Sequence, residues 1–186
     1  MKILLVNNNT IHLEYLLEAL AGNEVEVVNY RPGVKFNHQD KDVIILSGGG
    51  GEGLEINDKY RRRQLWYQDQ MEFVRRADKP VIGICMGFEV IARAFGAPVK
   101  QLKSGLIHGY FQLNTTPQGR QVLSKDHLVQ FKAHSWHVPQ APKDFAVLAT
   151  STDGIEIIQH KTRPILAVQF HPEKGGTLNL QQLLTI

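Results

Sequence analysis

Short, continuous apolar runs that alternate with helical patterns are the feature that most constrains the fold of this chain. Ile3 to Val6 and Val43 to Leu46 contain only apolar residues, and Val81 to Ile84 adds one glycine. Strands that are apolar throughout are buried on both faces, which is typical of a parallel sheet covered by helices on each side. Glu24 to Val28 alternates instead, which predicts an edge strand. The first half of the chain therefore predicts βαβ units.

The segments between these strands contain helical patterns or glycines. Three helices are predicted from apolar spacing and from glycines at their ends (Gly22 and Gly96): Ile11 to Leu20, about Asp58 to Ala77, and Phe88 to Phe95. After the third strand comes Ser47-Gly48-Gly49-Gly50-Gly51. Glycine at that density predicts a loop outside regular structure.

Beyond Pro98 the pattern becomes rich in strands. Five further strands are predicted: Tyr110 to Asn114, Val129 to Ala133, Phe145 to Ala149, Ile155 to Gln159 and Ile165 to Phe170. Four leucines between Leu178 and Leu184 predict a closing helix. No linker interrupts the pattern, so residues 1–186 are predicted to form a single domain with a mostly parallel sheet and helices on both faces.

Composition limits the possible classes of protein. The chain has 186 residues, a net charge of +3 and a single cysteine, which excludes an internal disulfide framework and suits a reducing cytoplasm. No apolar run approaches the roughly 18 residues of a membrane helix. The densest basic cluster, Arg61-Arg62-Arg63, lacks a nucleic-acid reading motif. We therefore predict no nucleic-acid or membrane partner and interpret the cluster as a solvated face or a docking patch.

Gly83-Ile84-Cys85-Met86-Gly87 lies between a predicted buried strand and a predicted helix. A sharp strand-to-helix turn lifts a nucleophile above the sheet edge, and small flanking residues relieve the crowding there. The helix N-terminus favours a thiolate, and the amide of Met86 is placed to donate to a developing oxyanion. The pattern predicts that Cys85 is a nucleophile.

A cysteine nucleophile needs a base and a group that orients the base. His171-Pro172-Glu173 follows a predicted strand, so the imidazole and the carboxylate fall at the same sheet edge as Cys85. Seven other histidines compete for the role of base on chemistry alone: His12, His38, His108, His127, His134, His137 and His160. His134 and His137 are three residues apart but lack a nearby ligand pair, so no metal site is predicted.

Taken together, these residues resemble the class I glutamine amidotransferase family. The resemblance rests on the elbow at Cys85, on Val168-Gln169-Phe170-His171-Pro172-Glu173 and on the glycine loop after Leu46-Ser47, and it runs from Met1 to about Lys174. It implies a flavodoxin-like sheet with a smaller β-rich flank. It also implies a triad in which Cys85 attacks the glutamine side-chain amide, His171 serves as base and then acid, and Glu173 orients it. No cofactor is implied.

The resemblance assigns further positions one at a time. It implies an oxyanion hole formed by the amides of Gly49 and Met86. The implied substrate-binding residues are Gly51, whose missing side chain leaves room for substrate, Glu89, and the segments His108-Gly109-Tyr110 and His134-Ser135-Trp136. For both segments, ordinary loop or strand packing is the alternative interpretation.

Two positions depart from the family pattern. Gly50 stands where a proline is common, and Glu89 stands where most members carry a glutamine that helps to bind substrate. A carboxylate there would accept a hydrogen bond from the substrate ammonium but would raise the pKa of the cysteine. Glu89 and Lys174 also resemble the γ-glutamyl hydrolases, which cleave γ-glutamyl peptide bonds.

Three functions remain open at this point. The leading hypothesis is a glutaminase subunit that delivers ammonia to a separate synthase, since the chain contains no Gly-x-x-x-x-Gly-Lys-Ser/Thr loop for ATP. The alternatives are a γ-glutamyl hydrolase and a catalytically silent scaffold. The predicted helix around Tyr60 to Met71 is a candidate docking surface, and the favoured alternative is an aromatic stripe that faces the core with a solvated basic back. Gly48 to Gly51 is a candidate switch that partner docking would align.

Overall fold

The computed structural model describes residues 1–49, 56–59 and 64–186. The strands of these residues are β1 (Lys2–Asn8), β2 (Glu24–Asn29), β3 (Val43–Gly49), β4 (Val81–Ile84), β5 (Lys100–Gln101), β6 (Ile107–Thr115), β7 (His127–His134), β8 (Trp136–His137), β9 (Phe145–Ser151), β10 (Gly154–His160) and β11 (Ile165–Val168). The helices are α1 (Leu13–Ala19), α2 (Gln68–Arg76), α3 (Met86–Ala94), α4 (Pro117–Leu123) and α5 (Leu180–Leu183), with a 3₁₀ turn at Pro172–Lys174.

Nine of the strands form one sheet in the order β2-β1-β3-β4-β11-β10-β9-β6-β7. The strands from β2 to β11 pair in parallel, and those from β11 to β7 pair antiparallel. The parallel part has the 2-1-3-4-5 order of the flavodoxin-like folds. The predicted α/β class is therefore confirmed, and the β-rich flank continues the same sheet, with β5 and β8 forming a separate pair.

Alternate residues of each parallel strand point to opposite faces, so the sheet separates two apolar cores. Leu4, Val6, Ile44 and Leu46 lie in the core covered by α2 and α3. Their neighbours Ile3, Leu5, Val43 and Ile45 lie in the core covered by α1 and α5. All eight are at most 2% exposed, which explains why these strands are apolar throughout. No helix in the described ranges is both long and apolar enough to cross a bilayer.

The prediction that Ser47 and the first two glycines leave regular structure was wrong. β3 continues to Gly49, which pairs with Asn8 across a register shift in β1. Strand pairing supplies the backbone partners, and these outweigh the entropic cost of ordering glycine, roughly 0.5–1 kcal/mol per residue relative to alanine. Gly50 and Gly51 lie outside the described residues.

The long helix predicted from about Asp58 begins only at Gln68. Before it, Lys59 forms an antiparallel bridge with Leu65, and the Tyr67 hydroxyl donates to the carbonyl of Ile56 at 2.7 Å. A continuous helix from Asp58 would break both pairings. Tyr60 and Arg61-Arg62-Arg63, at the start of the predicted docking helix, lie outside the described residues.

The edge strand β7 returns to the parallel half of the sheet. The amide of His171 donates to the carbonyl of Phe131 at 2.8 Å, and that of Thr177 donates to Val129 at 2.9 Å. The side-chain amide of Gln130 donates to the carbonyl of Leu178 at 2.8 Å. The antiparallel flank is thus fastened to the segment that follows β11, and it forms one wall of the sheet edge where the strands end.

A buried ion pair crosses this flank. Lys132 on β7 is 0% exposed, and its ammonium lies 2.6 Å from Glu156 Oε1 and 2.7 Å from Asp153 Oδ2. Ser151 completes the cluster at 3.1 Å. Burial raises the pKa of Glu156, and Lys132 opposes that rise. Neither charge has access to bulk water, so each depends on the other.

We expect Lys132→Met to lower the free energy of unfolding by about 3–5 kcal/mol, because it leaves the Glu156 carboxylate buried without its partner. The deficit should shrink at low pH, since the raised pKa of Glu156 lets a proton neutralise it there. Urea unfolding at several pH values measures both effects.

The double variant Lys132→Met/Glu156→Gln should recover most of the loss because no unpaired charge remains at the centre of the cluster. Lys161→Met, at an exposed lysine, serves as the matched control and should change stability by less than about 0.5 kcal/mol. Equal losses in the single and double variants would contradict the assignment.

Candidate active site

The turn from β4 into α3 presents Cys85 at the sheet edge. Cys85 caps α3 with φ +50° and ψ −104°, a left-handed conformation that a residue other than glycine rarely adopts. Its amide donates to the carbonyl of Val168 on the adjacent strand at 2.8 Å. Strain of this kind, about 1–3 kcal/mol, persists only where surrounding packing enforces it. The sharp, strained turn predicted at Cys85 is therefore present in the structure.

The glycines on either side of Cys85 are required by close packing. A Cβ on Gly83 would lie 2.5 Å from Ile91 and 2.7 Å from the backbone of Gly87. A Cβ on Gly87 would lie 2.3 Å from the carbonyl oxygen of Leu46. The first turn of α3 therefore rests directly on the end of β3, and the crowding at this turn leaves room only for glycine.

His171 and Glu173 follow β11, the strand next to β4. His171 Nδ1 lies 2.7 Å from Glu173 Oε1, and both side chains are at most 2% exposed. The other ring nitrogen, Nε2, makes no hydrogen bond within the described ranges. It is near enough to Cys85 for each group to shift the pKa of the other. The structure thus brings together the three residues predicted as the triad.

Burial and charge oppose each other in this cluster. Burial holds the pKa of the Cys85 thiol above its ordinary value, and His171 opposes part of that rise. Burial lowers the pKa of His171, but Cys85 and Glu173 outweigh it and raise that pKa to about 10. A thiolate on Cys85 and an imidazolium on His171 therefore stabilise each other, and the two groups ionise as a pair.

The predicted oxyanion residues lie against each other. A Cβ on Gly49 would lie 2.3 Å from Met86 Sδ and 3.3 Å from Met86 Cβ. A Cβ on Gly48 would lie 3.1 Å from His171 Cε1 and 3.5 Å from Cys85 Cβ. The end of β3 thus passes beside the cysteine with no room for side chains, and it presents backbone to the site. Gly51 lies outside the described residues.

His134, at the end of β7, also faces the cluster. It is 5% exposed, and Nδ1 lies 2.7 Å from the carbonyl of Trp136, so Nδ1 is the protonated nitrogen. Burial, followed by Lys132, lowers its pKa to about 4, which keeps the ring neutral at pH 7. Its buried Nε2 is an acceptor with no partner in the part of the chain described. Beside it, the carbonyl of Ala133 lies 3.9 Å from Cys85 Sγ.

The other predicted binding residues line the rim of this wall. His108 pairs with Ala133 across the sheet, and Gly109 beside it has φ +134°. Tyr110 is 58% exposed and donates from its hydroxyl to the carbonyl of Lys174 at 2.8 Å. Ser135 is half-buried in the turn after β7, and Trp136 is half-buried at the start of β8. Roles in binding substrate remain predictions for all of them.

Glu89 lies on the first turn of α3 and is 4% exposed. The side-chain amide of Gln169 donates to Glu89 Oε1 at 3.1 Å. Glu89 is therefore held from the β11 side, and its negative charge contributes to raising the pKa of Cys85.

One neighbour of the triad was not predicted as such from the sequence. The ring of His12 packs edge-on against His171, with centroids 4.9 Å apart. Burial and then His171 lower the pKa of His12. It was named only as a competing base, because its distance along the chain gives no signal for this contact.

Comparison with known proteins agrees with this geometry. Residues 4–185 match the family described as glutamine amidotransferase class-I. The glutamine-hydrolysing GMP synthase subunit of Methanosarcina barkeri is 30% identical over 197 residues, which cover 100% of this chain and 94% of that protein. Anthranilate synthase component 2 of Thermococcus kodakarensis is 34% identical over 92% of this chain and 86% of its own length.

A solved structure is also similar. The crystal structure of a putative GMP synthase subunit from Thermoplasma acidophilum has a TM-score of 0.74 at 24% identity. It covers 93% of this chain and 84% of that chain. This likeness bears on the fold alone.

We expect Glu89→Gln to lower the pKa of the Cys85 thiol, because the carboxylate at position 89 raises it. A lower pKa means more thiolate at a given pH, so the midpoint of the pH–rate profile for alkylation should move to lower pH. Iodoacetamide labelling of Cys85, the only cysteine, followed by mass spectrometry, measures that midpoint.

Glu72→Gln is the control, since Glu72 lies on α2 and is bonded to Gln68 there. Its midpoint should match that of the wild type. A midpoint that stays in place or rises in Glu89→Gln would show that Glu89 is not a charged neighbour of the thiol.

Proposed function

The chain belongs to the class-I glutamine amidotransferases, and we propose that it is a glutaminase subunit that hydrolyses the side-chain amide of glutamine through Cys85. The observation that carries the mechanism is the strained cysteine at the β4–α3 turn, with the buried His171–Glu173 pair on the adjacent strand. A nucleophile, a base and an orienting carboxylate in this arrangement are the parts that acyl transfer needs.

In the proposed reaction, Cys85 attacks the amide carbon as a thiolate, and the carbonyl oxygen becomes an oxyanion. The amides of Gly49 and Met86 donate to that oxygen, since both belong to backbone lying at the site. His171 gives its proton to the departing nitrogen, and ammonia leaves a γ-glutamyl thioester on Cys85. Water, deprotonated by His171, then attacks the thioester and releases glutamate. Glu173 holds Nδ1 of His171 throughout.

The ammonia has a proposed destination in a separate synthase subunit. The relatives are named as one subunit of a glutamine-hydrolysing GMP synthase and as component 2 of an anthranilate synthase. The match to the first extends over the whole of this chain and 94% of that relative, so it covers the relative's subunit nearly end to end. We propose the same division of labour here, with residues 1–186 as one amidotransferase domain in the cytoplasm.

The substrate's amino-acid end is proposed to lie along the wall formed by β6 and β7. His134 offers a buried acceptor at Nε2, and Glu89 offers a carboxylate from the first turn of α3. Residues 108–110 on β6 and 135–136 after β7 are proposed to complete the site. Both acceptors suit the ammonium of the substrate. Gly51 stays a prediction for the same site.

A γ-glutamyl hydrolase is the second candidate, and Glu89 is the observation that favours it. The buried carboxylate adds negative charge near Cys85, where an uncharged amide would not oppose the thiolate. The two candidates share the triad and differ in the leaving group, which is ammonia or a larger amine.

We expect the purified wild-type protein to release glutamate from glutamine faster than from a γ-glutamyl peptide such as γ-glutamyl-alanine. Cys85→Ala should lose all turnover of both, because the chain has no second thiol. Glutamate released over time measures the two rates.

Faster cleavage of the peptide would favour the hydrolase instead. Turnover that persists in Cys85→Ala would overturn the proposed nucleophile.

Glu173→Gln should lower kcat about 10²- to 10⁴-fold while Cys85 remains available for alkylation. Glu173 helps to raise the pKa of His171, so its loss moves that pKa downward and releases the ring from its orientation. The pH dependence of kcat measures the shift, and an unchanged profile would contradict the role of Glu173.

A further inference from the structure

The peptide unit between Gly48 and Gly49 carries the Gly49 N–H on one side and the Gly48 carbonyl on the other. In a trans peptide these two bonds point in opposite directions. The hydroxyl of Ser47 donates to the Gly48 carbonyl at 2.7 Å. The direction of the Gly48 carbonyl, and with it the direction of the Gly49 N–H, is therefore tied to the Ser47 side chain as well as to the pairing of Gly49 with Asn8.

Ser47 is itself held by Asn8, at the end of β1. The backbone amide of Asn8 donates to Ser47 Oγ at 2.9 Å. That bond occupies a lone pair of the hydroxyl, which leaves its hydrogen for the Gly48 carbonyl. The side-chain amide of Asn8 donates to the Ser47 carbonyl at 3.1 Å. Asn8 thus fixes the hydroxyl and the preceding peptide unit together.

Gln70 adds a third side chain to this series of hydrogen bonds. It lies on α2, is 0% exposed, and its Nε2 donates to Asn8 Oδ1 at 2.6 Å. Gln70 Oε1 has no partner in the described part of the chain. A long polar side chain with an unpaired oxygen is costly to bury. The hydrogen bond that Gln70 donates orients the Asn8 amide.

We propose that the hydrogen-bonded series Gln70–Asn8–Ser47 orients the Gly49 N–H toward the substrate's developing oxyanion. The proposal rests on the proposed function, in which that amide stabilises the tetrahedral intermediate. None of the three side chains touches substrate. Each acts through the next, and Ser47 acts on the peptide unit itself.

A positioning role can be distinguished by kinetics from a purely structural role of these buried hydrogen bonds. Mis-aiming one oxyanion donor removes an interaction made only in the transition state, so kcat and kcat/KM fall together while KM changes little. Alkylation of Cys85 by iodoacetamide proceeds without an oxyanion and should not respond. A general loosening of the site would change KM and alkylation as well.

Ser47→Ala should lower kcat for glutamine about 10- to 100-fold, part of the 10²- to 10³-fold that loss of a whole oxyanion donor costs. Gln70→Met, which keeps the length of the side chain, should give a smaller fall. The double variant should resemble Ser47→Ala alone, because Gln70 acts through Ser47. Gln68→Met is the matched control on the same helix, since Gln68 bonds to Glu72 instead.

A second measurement does not need turnover. Protein labelled with carbonyl-¹³C glycine and ¹⁵N glycine gives correlations only from glycine–glycine bonds, which occur within Gly48 to Gly51 and at Gly175-Gly176. Loss of the hydrogen bond from Ser47 should move the Gly48 carbonyl signal upfield in Ser47→Ala. The Gly175 signal should stay in place.

The outcomes separate the two proposals. A wild type that does not hydrolyse glutamine, with the Gly48 signal still dependent on Ser47, would end the proposed function and retain the fixed peptide unit. An active wild type whose kcat survives Ser47→Ala within twofold would overturn the positioning role. Parallel losses in kcat and alkylation would overturn it too, and so would a Gly48 signal that does not move.

Discussion

The close approach of α3 to the end of β3 is the contact on which the candidate site depends. Gly87 rests on the carbonyl of Leu46, where a Cβ would lie only 2.3 Å away. That approach forces the chain through the left-handed conformation at Cys85, and packing of the helix offsets the cost of the strain. It also brings Met86 against Gly49. One backbone contact therefore sets both the position of the thiol and the spacing of the two candidate oxyanion donors.

Burial then decides which charges the site can hold. His171 and Glu173 are buried together, and a buried charge persists only where an opposite charge or a set of hydrogen bonds compensates it. Among the described residues, His171 is the charged group that favours the Cys85 thiolate, and Glu89 acts against ionisation of the thiol. The thiolate is consequently tied to the imidazolium beside it, so the two groups titrate as a pair.

The parts predictable from sequence were those fixed by local pattern. Val81–Ile84 was predicted with its observed bounds, since its short length, its β-branched residues and the preceding Pro80 favour a strand over a buried helix segment. The helix start at Gln68 was missed because Tyr67 bonds to a distant carbonyl. α4 was missed although Thr116 caps it and Pro117 begins it, a local signal that was present and overlooked.

In the candidate site, too, local features were predictable and long-range contacts were not. The elbow at Cys85 is formed by neighbouring residues, so its sequence pattern predicted it. The contact of His12 with His171 and the hydrogen bonds from Gln70 through Asn8 join elements far apart in sequence. Amide side chains such as these look like surface residues until the fold buries them. Sequence alone ranks them no higher than any other asparagine or glutamine.

The buried amides also bear on how a partner would switch the glycine segment. Turning the Gly48–Gly49 peptide unit breaks the bond from Ser47 to the Gly48 carbonyl. The net worth of such a bond is about 0.5–1.5 kcal/mol, which corresponds to a bias of roughly two- to tenfold toward the observed orientation. A bias of this size favours an aimed donor in the isolated chain. It is also small enough for the contacts of a docking synthase to reinforce or reverse, so basal turnover and partner control are compatible in one structure.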